Sequence, residues 1–361
     1  MEPLGLRVGP YSCGFVTQKR PYLMMAIVVL LWGTNFIVSR FLTGFDPVRI
    51  SGVFFALFRY ALGALTMVCV MVYQRKGLSS INQETKSYRR VLLISAIFAS
   101  IFVVALHTST EFIPSGTSSI IINLNPIFVL IFGIIYLKER LTAIKLLGFL
   151  MGFLGGSIFL FSSLIVEPGL EIGMALSVLG MLMWGAYTIT LHYLEGANRY
   201  VVMTVTHTTS SLIIILFILG LLASGVSLIL ILDPITILGL LFSGVLASGL
   251  GYILYFSAIE ALGAPRASSF LFLMPFVSVV GDFLLGEPPE LLILLAGIIA
   301  IIGVGFVRLS GVKKTGQASG SGKSSSGSSA NLLNIFLSKN GACLFKQGIT
   351  AHREHAYSTK V

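Results

Sequence analysis

The chain has 361 residues, of which 55% are hydrophobic and only 11% are charged, and its mean hydropathy is +0.94. Soluble domains carry about 25% charged residues, so this composition excludes an ordinary water-soluble enzyme. Long apolar runs recur from residue 22 to residue 310, which is typical of a polytopic helical membrane protein. The three cysteines are too scattered for a disulfide framework or a metal site.

The apolar runs predict an all-α integral membrane protein with ten transmembrane helices. Each run approaches the roughly 20 residues that cross about 30 Å of hydrocarbon. The first run is too long for a signal peptide and lacks a small-residue cleavage site, so it is expected to remain as a helix. The predicted spans are about 22–42, 48–73, 90–109, 117–137, 142–163, 170–194, 199–223, 235–259, 265–285 and 291–310.

The positions of Lys and Arg predict the orientation. Basic residues cluster before the first span, in the second and fourth connections and after the last span, whereas the third, fifth, seventh and ninth connections contain none. Both termini are therefore expected in the cytoplasm of a multi-pass cell-membrane protein. The net charge of +10 is then a topology signal, and nucleic acid is not an expected partner.

Two segments of the first half return in the second half. LWGTNFIVSRFL (31–42) resembles MWGAYTITLHYL (183–194), and the stretch 107–140 resembles 256–288, with Pro126 matched to Pro275. The halves therefore look like copies of one five-helix unit. Because five is odd, the second copy must enter the membrane from the opposite side, as in secondary transporters whose substrate site lies between inverted repeats.

The predicted domains follow from this repeat. A Gly/Ser-rich stretch after residue 311 is typical of a flexible linker. The domains are a cytoplasmic segment 1–21, a first five-helix repeat 22–165, a second repeat 166–310 and a disordered cytoplasmic tail 311–361.

The same residues resemble the drug/metabolite transporter superfamily, specifically the EamA-type ten-helix carriers. The matching pieces are the Trp-Gly pair opening each half, the arginine in FALFRYALGAL (Arg59), and NPIFVLIFGIIYLKERLT with its echo MPFVSVVGDFLLGEP. The resemblance implies two halves around a central cavity, alternating access without ATP hydrolysis, and metabolite substrates such as amino acids, including aromatic ones. His207 and Thr208 stand where the second half would repeat Arg59.

Arg59 is a candidate substrate-binding residue because it lies about eleven residues into its predicted span. An unpaired arginine at mid-membrane costs roughly 2.5–3.5 kcal/mol on insertion scales. Its guanidinium would suit a substrate carboxylate, which it can grip with two hydrogen bonds. The alternative is an arginine that is bonded within the protein and braces the helices.

Asn123, Asn125 and the two matched prolines are further candidates. Pro126 removes an N–H and its ring meets the carbonyl of Ile122, so a kink is expected there and, by the repeat, at Pro275. Paired helix breaks point to a central site. The asparagines would then contact ligand, or else only satisfy the broken helix.

Aromatic and amide residues on the candidate lining helices suit a ring-bearing or cationic ligand. Trp32 with Asn35, and Trp184 with Tyr187, are spaced by three residues, which places each pair on one helix face. The other aromatic candidates are Tyr252, Tyr255 and Phe270. Packing in the core or against lipid is the alternative for each.

The remaining polar residues in or near the spans have two interpretations each. His107, a candidate binding residue, and His207 would carry protons or only hydrogen-bond a neighbouring helix. Asp282 is expected near the outer surface. Glu139 and Glu287 are expected at opposite faces, pairing with backbone or a neighbouring helix end.

These observations favour a secondary transporter, and specifically an exporter of amino acids or related metabolites. A multidrug or cation efflux carrier is the alternative. A membrane-embedded enzyme is less favoured, because no HExxH, GxSxG or paired intramembrane carboxylates occur. No cofactor or metal is expected. The expected partners are a small-molecule substrate and the lipid bilayer; protons, and the choice between monomer and homodimer, stay open.

Overall fold

A computed structural model describes residues 19–73, 78–125, 170–194, 196–262, 270–288 and 291–312, with isolated positions between 128 and 155 and Ala267. These residues are almost all helical. The α-helices are α1 (Lys19–Thr43), α2 (Gly52–Tyr73), α3 (Leu78–Phe112), α4 (Ser115–Ile122), α5 (Leu170–His192), α6 (Arg199–Ala223), α7 (Pro234–Leu241), α8 (Gly251–Leu262), α9 (Met274–Leu285) and α10 (Leu291–Val312). A π-helix, Phe242–Leu250, joins α7 to α8, and a 3₁₀ turn, Phe270–Leu273, precedes α9.

Six helical stretches among the described residues are long and apolar enough to cross a membrane. They are Arg20–Thr43, Gly52–Tyr73, Thr85–Phe112, Leu170–Leu191, Arg199–Ala223 and Pro234–Ile259. Each overlaps one of the ten predicted spans. The predicted spans 117–137 and 142–163 lie largely outside the described residues, so this structure leaves the count of ten a prediction.

Contacts at the end of α3 fix the directions of its neighbours. Arg40, in the last turn of α1, donates to the carbonyls of Thr110 and Glu111. Gly173, at the start of α5, packs against Ile113. Since α1 ends where α5 begins, these two helices run in opposite directions. We refer to this end of the bundle as the Arg40 end, and to the opposite end, where α6 begins, as the Arg199 end.

Two ion pairs join the two halves of the chain at the Arg40 end. Arg40 holds Glu287 with two parallel bonds, Nε to Oε2 at 2.8 Å and NH2 to Oε1 at 2.5 Å. Arg49 Nε lies 3.3 Å from Asp233 Oδ2. The Asp233 carboxylate also caps α7, and the backbone N–H of Thr236 lowers the pKa of Asp233. Glu287 thus pairs with the end of a neighbouring helix, as the sequence predicts.

A third polar contact at this end is completely enclosed. Asp282 of α9 accepts hydrogen bonds from the backbone N–H groups of Ser115 and Gly116 and from the Ser115 hydroxyl. These are the first N–H groups of α4, which no helical carbonyl can satisfy. Asp282 lies near the end of α9, and its side chain is 0% exposed because protein encloses it; its expected position near the outer membrane surface stays a prediction.

We expect Asp282→Ala to destabilise the protein by roughly 3 kcal/mol, because it leaves buried N–H groups of α4 without an acceptor. The measurement is the midpoint of thermal unfolding in detergent. Ser278→Ala is the matched control one turn earlier on α9; it removes only two bonds of 3.2 Å, to the carbonyls of Gly33 and Met274. A normal midpoint combined with lost transport would contradict this structural role and indicate that Asp282 carries protons.

Close backbone approach is required where α2 meets α3. A Cβ placed on Gly52 would overlap the carbonyl group of His107. Glycine at this position therefore allows the first turn of α2 to pack directly on α3. This contact brings the middle of α2 next to His107. The buried cluster around His107, which we call the polar centre, consists of Ser39, Arg59, Tyr60, His107, His207 and Ser248.

Candidate functional site

Trp32 and Asn35 lie on one face of α1 and both bind the π-helix. The indole N–H of Trp32 donates to the carbonyl of Ala247 at 2.8 Å, and the Ser243 hydroxyl donates to Asn35 Oδ1 at 2.6 Å. Both side chains are buried. These hydrogen bonds thus join the two halves of the chain.

The Trp32 ring belongs to a group of aromatic side chains between α1 and α8. Its centroid lies 5.1 Å from that of Tyr252 and 5.2 Å from that of Tyr255. Gly251 makes this approach possible, because a Cβ there would lie 2.7 Å from the indole nitrogen. The structure therefore brings together three of the predicted aromatic residues.

Arg59 lies at the centre of a buried hydrogen-bond chain. Its Nε donates to Ser248 Oγ at 2.9 Å, and its Nη1 donates to His107 Nε2 at 2.9 Å. Because arginine only donates, His107 must accept at Nε2, and its Nδ1–H donates to Ser39 Oγ at 2.7 Å. Ser39 then donates to Thr110 Oγ1 at 2.7 Å, which donates to the His107 carbonyl. These hydrogen bonds link α1, α2, α3 and the π-helix.

The charge of Arg59 is uncompensated among the described residues. The side chain is 5% exposed, and the two ion pairs found in the described part of the chain involve other arginines. The second terminal nitrogen of the guanidinium, Nη2, makes no hydrogen bond to any described residue. The bonds at Nε and Nη1 brace the helices, and a role of Arg59 in substrate binding stays a prediction.

The histidines His107 and His207 differ in how their ring nitrogens are bonded. Both ring nitrogens of His107 are occupied, by Ser39 and Arg59. His207 Nδ1 bonds the Met203 carbonyl at 2.9 Å, whereas its buried Nε2 has no partner among the described residues. His107 therefore positions Arg59, whereas Nε2 of His207 has no hydrogen-bond partner among the described residues.

The second predicted pair, Trp184 and Tyr187, lies on α5. The Trp184 ring is 4.8 Å from the ring of Phe102 and 5.5 Å from that of Tyr187. The Tyr187 hydroxyl contacts Met203 Sδ at 3.8 Å. Tyr187 is fully buried and Trp184 half-buried, so this pair packs between α3, α5 and α6.

A cavity of about 330 Å³ opens at the Arg199 end. None of the predicted binding residues lines it. Two lining residues are close to the aromatic group in the chain: Met203 is one helical turn before His207, and Ile253 follows Tyr252. Met203, which lines the cavity, also contacts the Tyr187 hydroxyl. The lining residues are Met67, Gly196, Ala197, Asn198, Arg199, Tyr200, Met203, Ile253, Phe256 and Ser257.

The two matched prolines mark the predicted helix breaks, and the described residues near them are the end of α4 and the start of α9. α4 ends at Ile122, and the Asn123 amide donates to the Ser119 carbonyl at 2.8 Å, so Asn123 satisfies the end of its own helix. Asn125 is half-buried. Pro126 and Glu139 lie outside the described residues.

Pro275 occupies the first turn of α9, directly after the 3₁₀ turn that begins at Phe270. The missing N–H of proline costs nothing in the first turn of a helix. Phe270 is half-buried and its ring lies 6.0 Å from that of Tyr22 on α1. The helix thus changes from 3₁₀ to α geometry directly before Pro275, and a kink at this proline stays a prediction.

Sequence reasoning missed three residues of the polar centre, Ser39, Tyr60 and Ser248. Ser39 follows Trp32 by seven residues and Asn35 by four, so helical spacing would have placed it on the same face. Tyr60 stacks on His207, with ring centroids 4.3 Å apart. No simple spacing indicates Ser248, because it lies in a π-helix.

Comparison with known proteins now identifies the family. The model of the EamA-like transporter family matches residues 19–161 and 171–309. The chain belongs to the EamA-like transporter family. Because the described residues include six apolar helices long enough to span a bilayer, it is a multi-pass membrane transporter, with a small-molecule substrate and helices in lipid.

Curated relatives of this family member agree with that assignment. The chain is 28% identical over 295 residues to an uncharacterized transporter of Archaeoglobus fulgidus, covering 80% of this chain and 98% of the relative. It is 25% identical to the uncharacterized transporter YvbV of Bacillus subtilis, over 79% of this chain and 90% of the relative. Both relatives are named as transporters and neither as an enzyme.

A solved crystal structure shares the fold of this EamA-like chain. The TM-score is 0.53 at 16% sequence identity, and the match covers 80% of this chain and 96% of the other. At this identity the similarity concerns the fold alone.

Proposed function

We propose that this EamA-family protein is a secondary transporter that exports amino acids or closely related metabolites. The observation that carries the proposal is the buried Arg59 guanidinium, which has no anionic partner among the described residues and an unbonded Nη2. An isolated charge in a membrane interior is costly and marks functional sites. A substrate carboxylate would neutralise it and accept the bonds that the protein leaves open.

The surroundings of Arg59 favour a substrate with an apolar or aromatic side chain. Tyr60 follows Arg59 directly on α2. Its ring packs against His207, which contacts Tyr252, and Tyr252 in turn contacts Trp32. Aromatic rings prefer offset or edge contacts with other rings. Among the predicted residues, we propose Arg59 for the substrate carboxylate and Trp32, Tyr187, Tyr252 and Tyr255 for the substrate side chain.

Alternating access fits the distribution of closed and open regions. Ion pairs and the Asp282 cap close the Arg40 end, whereas the cavity opens at the Arg199 end. Two inverted five-helix repeats, 22–165 and 166–310, would exchange these roles. The opposite directions of α1 and α5 support this arrangement.

With both termini in the cytoplasm, as the Lys and Arg distribution favours, the cavity would face the cytoplasm, where an exporter binds its substrate.

The multidrug or cation alternative is disfavoured by the same guanidinium. A fixed positive charge in a low-dielectric interior repels a cationic ligand. Zwitterionic amino acids avoid this conflict because their carboxylate is the part nearest to Arg59.

The test is transport by the purified full-length protein in liposomes. We expect release of preloaded labelled phenylalanine at least tenfold faster than from protein-free liposomes, with the product chemically unchanged. A thermal-shift panel of amino acids, nucleosides, sugars, polyamines and cationic drugs selects further substrates, since a ligand that binds only the folded state raises its unfolding midpoint. Stabilisation by cationic drugs alone, without phenylalanine release, would contradict the proposal.

A further inference from the structure

His207 has one engaged and one open nitrogen. Its Nδ1 lies 2.9 Å from the Met203 carbonyl, the residue one turn earlier on α6. A carbonyl oxygen only accepts, so Nδ1 carries a hydrogen. The side chain is 2% exposed, and its Nε2 is buried without a partner among the described residues. Buried polar atoms are rarely left unpaired in native structures, so this nitrogen needs an occupant.

The neutral form of His207 is the one that fits its surroundings. With Nδ1 protonated, a second proton on Nε2 would place a cation beside the uncompensated charge of Arg59, in a site of low dielectric. Nε2 is then a lone-pair acceptor. Whatever binds it must donate a hydrogen bond.

The open nitrogen lies between Arg59 and the cavity. Gly63 is one turn beyond Arg59 on α2, and a Cβ there would lie 3.0 Å from Ser248 Cβ and 3.4 Å from His207 Cδ2. Ser248 is the residue that binds Arg59 Nε. Met203, one turn from His207 towards the Arg199 end, lines the cavity. A ligand entering from that end would meet His207 before Arg59.

Two aromatic rings pack against the imidazole of His207. Its centroid lies 4.3 Å from that of Tyr60 and 5.4 Å from that of Tyr252, the latter in an edge-to-face arrangement. Together with the Nδ1 bond to Met203, these contacts fix the ring orientation. The acceptor direction of Nε2 is thus preorganised.

We propose that His207 Nε2 accepts a hydrogen bond from the amino group of the substrate while Arg59 holds its carboxylate. This inference rests on the proposed function and narrows it to α-amino acids, in which donor and acceptor groups are separated by a single carbon. The protein would distinguish an α-amino acid from the corresponding carboxylic acid at this atom. His107, whose two ring nitrogens are occupied by the protein, has no such role.

The test compares phenylalanine with 3-phenylpropionate, which has the same ring and carboxylate but no amino group. Binding is measured by calorimetry on the full-length detergent-solubilised protein. His207→Asn keeps a donor for the Met203 carbonyl and removes the acceptor at the Nε2 position, whereas His207→Gln places an amide at that position. Unfolding midpoints verify that both variants fold.

We expect His207→Asn to weaken phenylalanine binding about tenfold, the loss of one hydrogen bond to a charged group, and to leave 3-phenylpropionate binding unchanged. His207→Gln should restore most of the phenylalanine affinity. If His207→Asn weakened the binding of both compounds equally, or of neither, the assignment would be overturned. His207 would then have a packing role, or its Nε2 would bind a buried water. If the wild type binds 3-phenylpropionate as tightly as phenylalanine, only the His207 assignment fails; if it binds neither, the proposed function fails with it.

Discussion

Arg59→Gln should reduce phenylalanine affinity and transport by roughly 100-fold or more, because two charge-assisted hydrogen bonds to the carboxylate are lost. Glutamine retains a polar group that can bind Ser248 or His107, so part of the bracing contact survives. The decisive measurement is the preference of each protein for phenylalanine over its neutral-ended amide. The wild type should prefer the acid at least tenfold, and the variant should have lost this preference.

Arg90→Gln is the matched control, because Arg90 is an exposed arginine on α3 and its replacement should change transport by less than about twofold. If Arg59→Gln weakened the acid and the amide equally, Arg59 would act only on the helix arrangement. A wild-type rate and affinity in a folded Arg59→Ala protein would remove the carboxylate site altogether.

Glu287→Gln should shift the protein towards a state that is open at the Arg40 end. The substitution removes the charge that Arg40 holds with two bonds, and leaves Arg40 bound only to the carbonyls that end α3. Loss of one partner of a partly buried ion pair, with Glu287 about one quarter exposed, should shift the equilibrium by roughly 1.5 kcal/mol, or about tenfold.

Maleimide labelling of single cysteines measures this shift in a background without Cys13, Cys69 and Cys343. Thr43→Cys reports on the Arg40 end, where Thr43 is buried, and Ser257→Cys reports on the cavity. Glu287→Gln should raise the first labelling rate about tenfold and lower the second. A rise of both rates would indicate local unfolding and contradict a two-state gate. Glu171→Gln, at an exposed position at the same end, should change neither rate appreciably.

The membrane class, the helix positions and the family were predictable because they depend on long apolar runs and on a repeated pattern. The six helices that qualify as spans all fall on predicted spans, and Trp32 with Asn35 lies on one face as its spacing requires. Such features are local, and a periodicity of 3.6 residues is enough to find them. The proline at the start of α9 was found in the same way.

The partners of each buried polar group were less predictable, because they depend on contacts between distant parts of the chain. Ser248 binds Arg59 across 189 positions and sits in a π-helix, whose wider turn moves side chains away from the positions that α-helical spacing predicts. The burial of Asp282 has a similar cause: nothing near it in the chain shows that α4 begins beside its carboxylate.

The direction of the hydrogen bonds around Arg59 restricts how protons move through the protein. Every bond from Arg59 through His107 and Ser39 to Thr110 points towards the Arg40 end. Proton transfer along this hydrogen-bond chain requires each member to release one proton and take up another, and a guanidinium does not release its proton in a protein. Arg59 therefore blocks proton transfer along this chain, and a proton-driven cycle would have to use a different path across the bilayer.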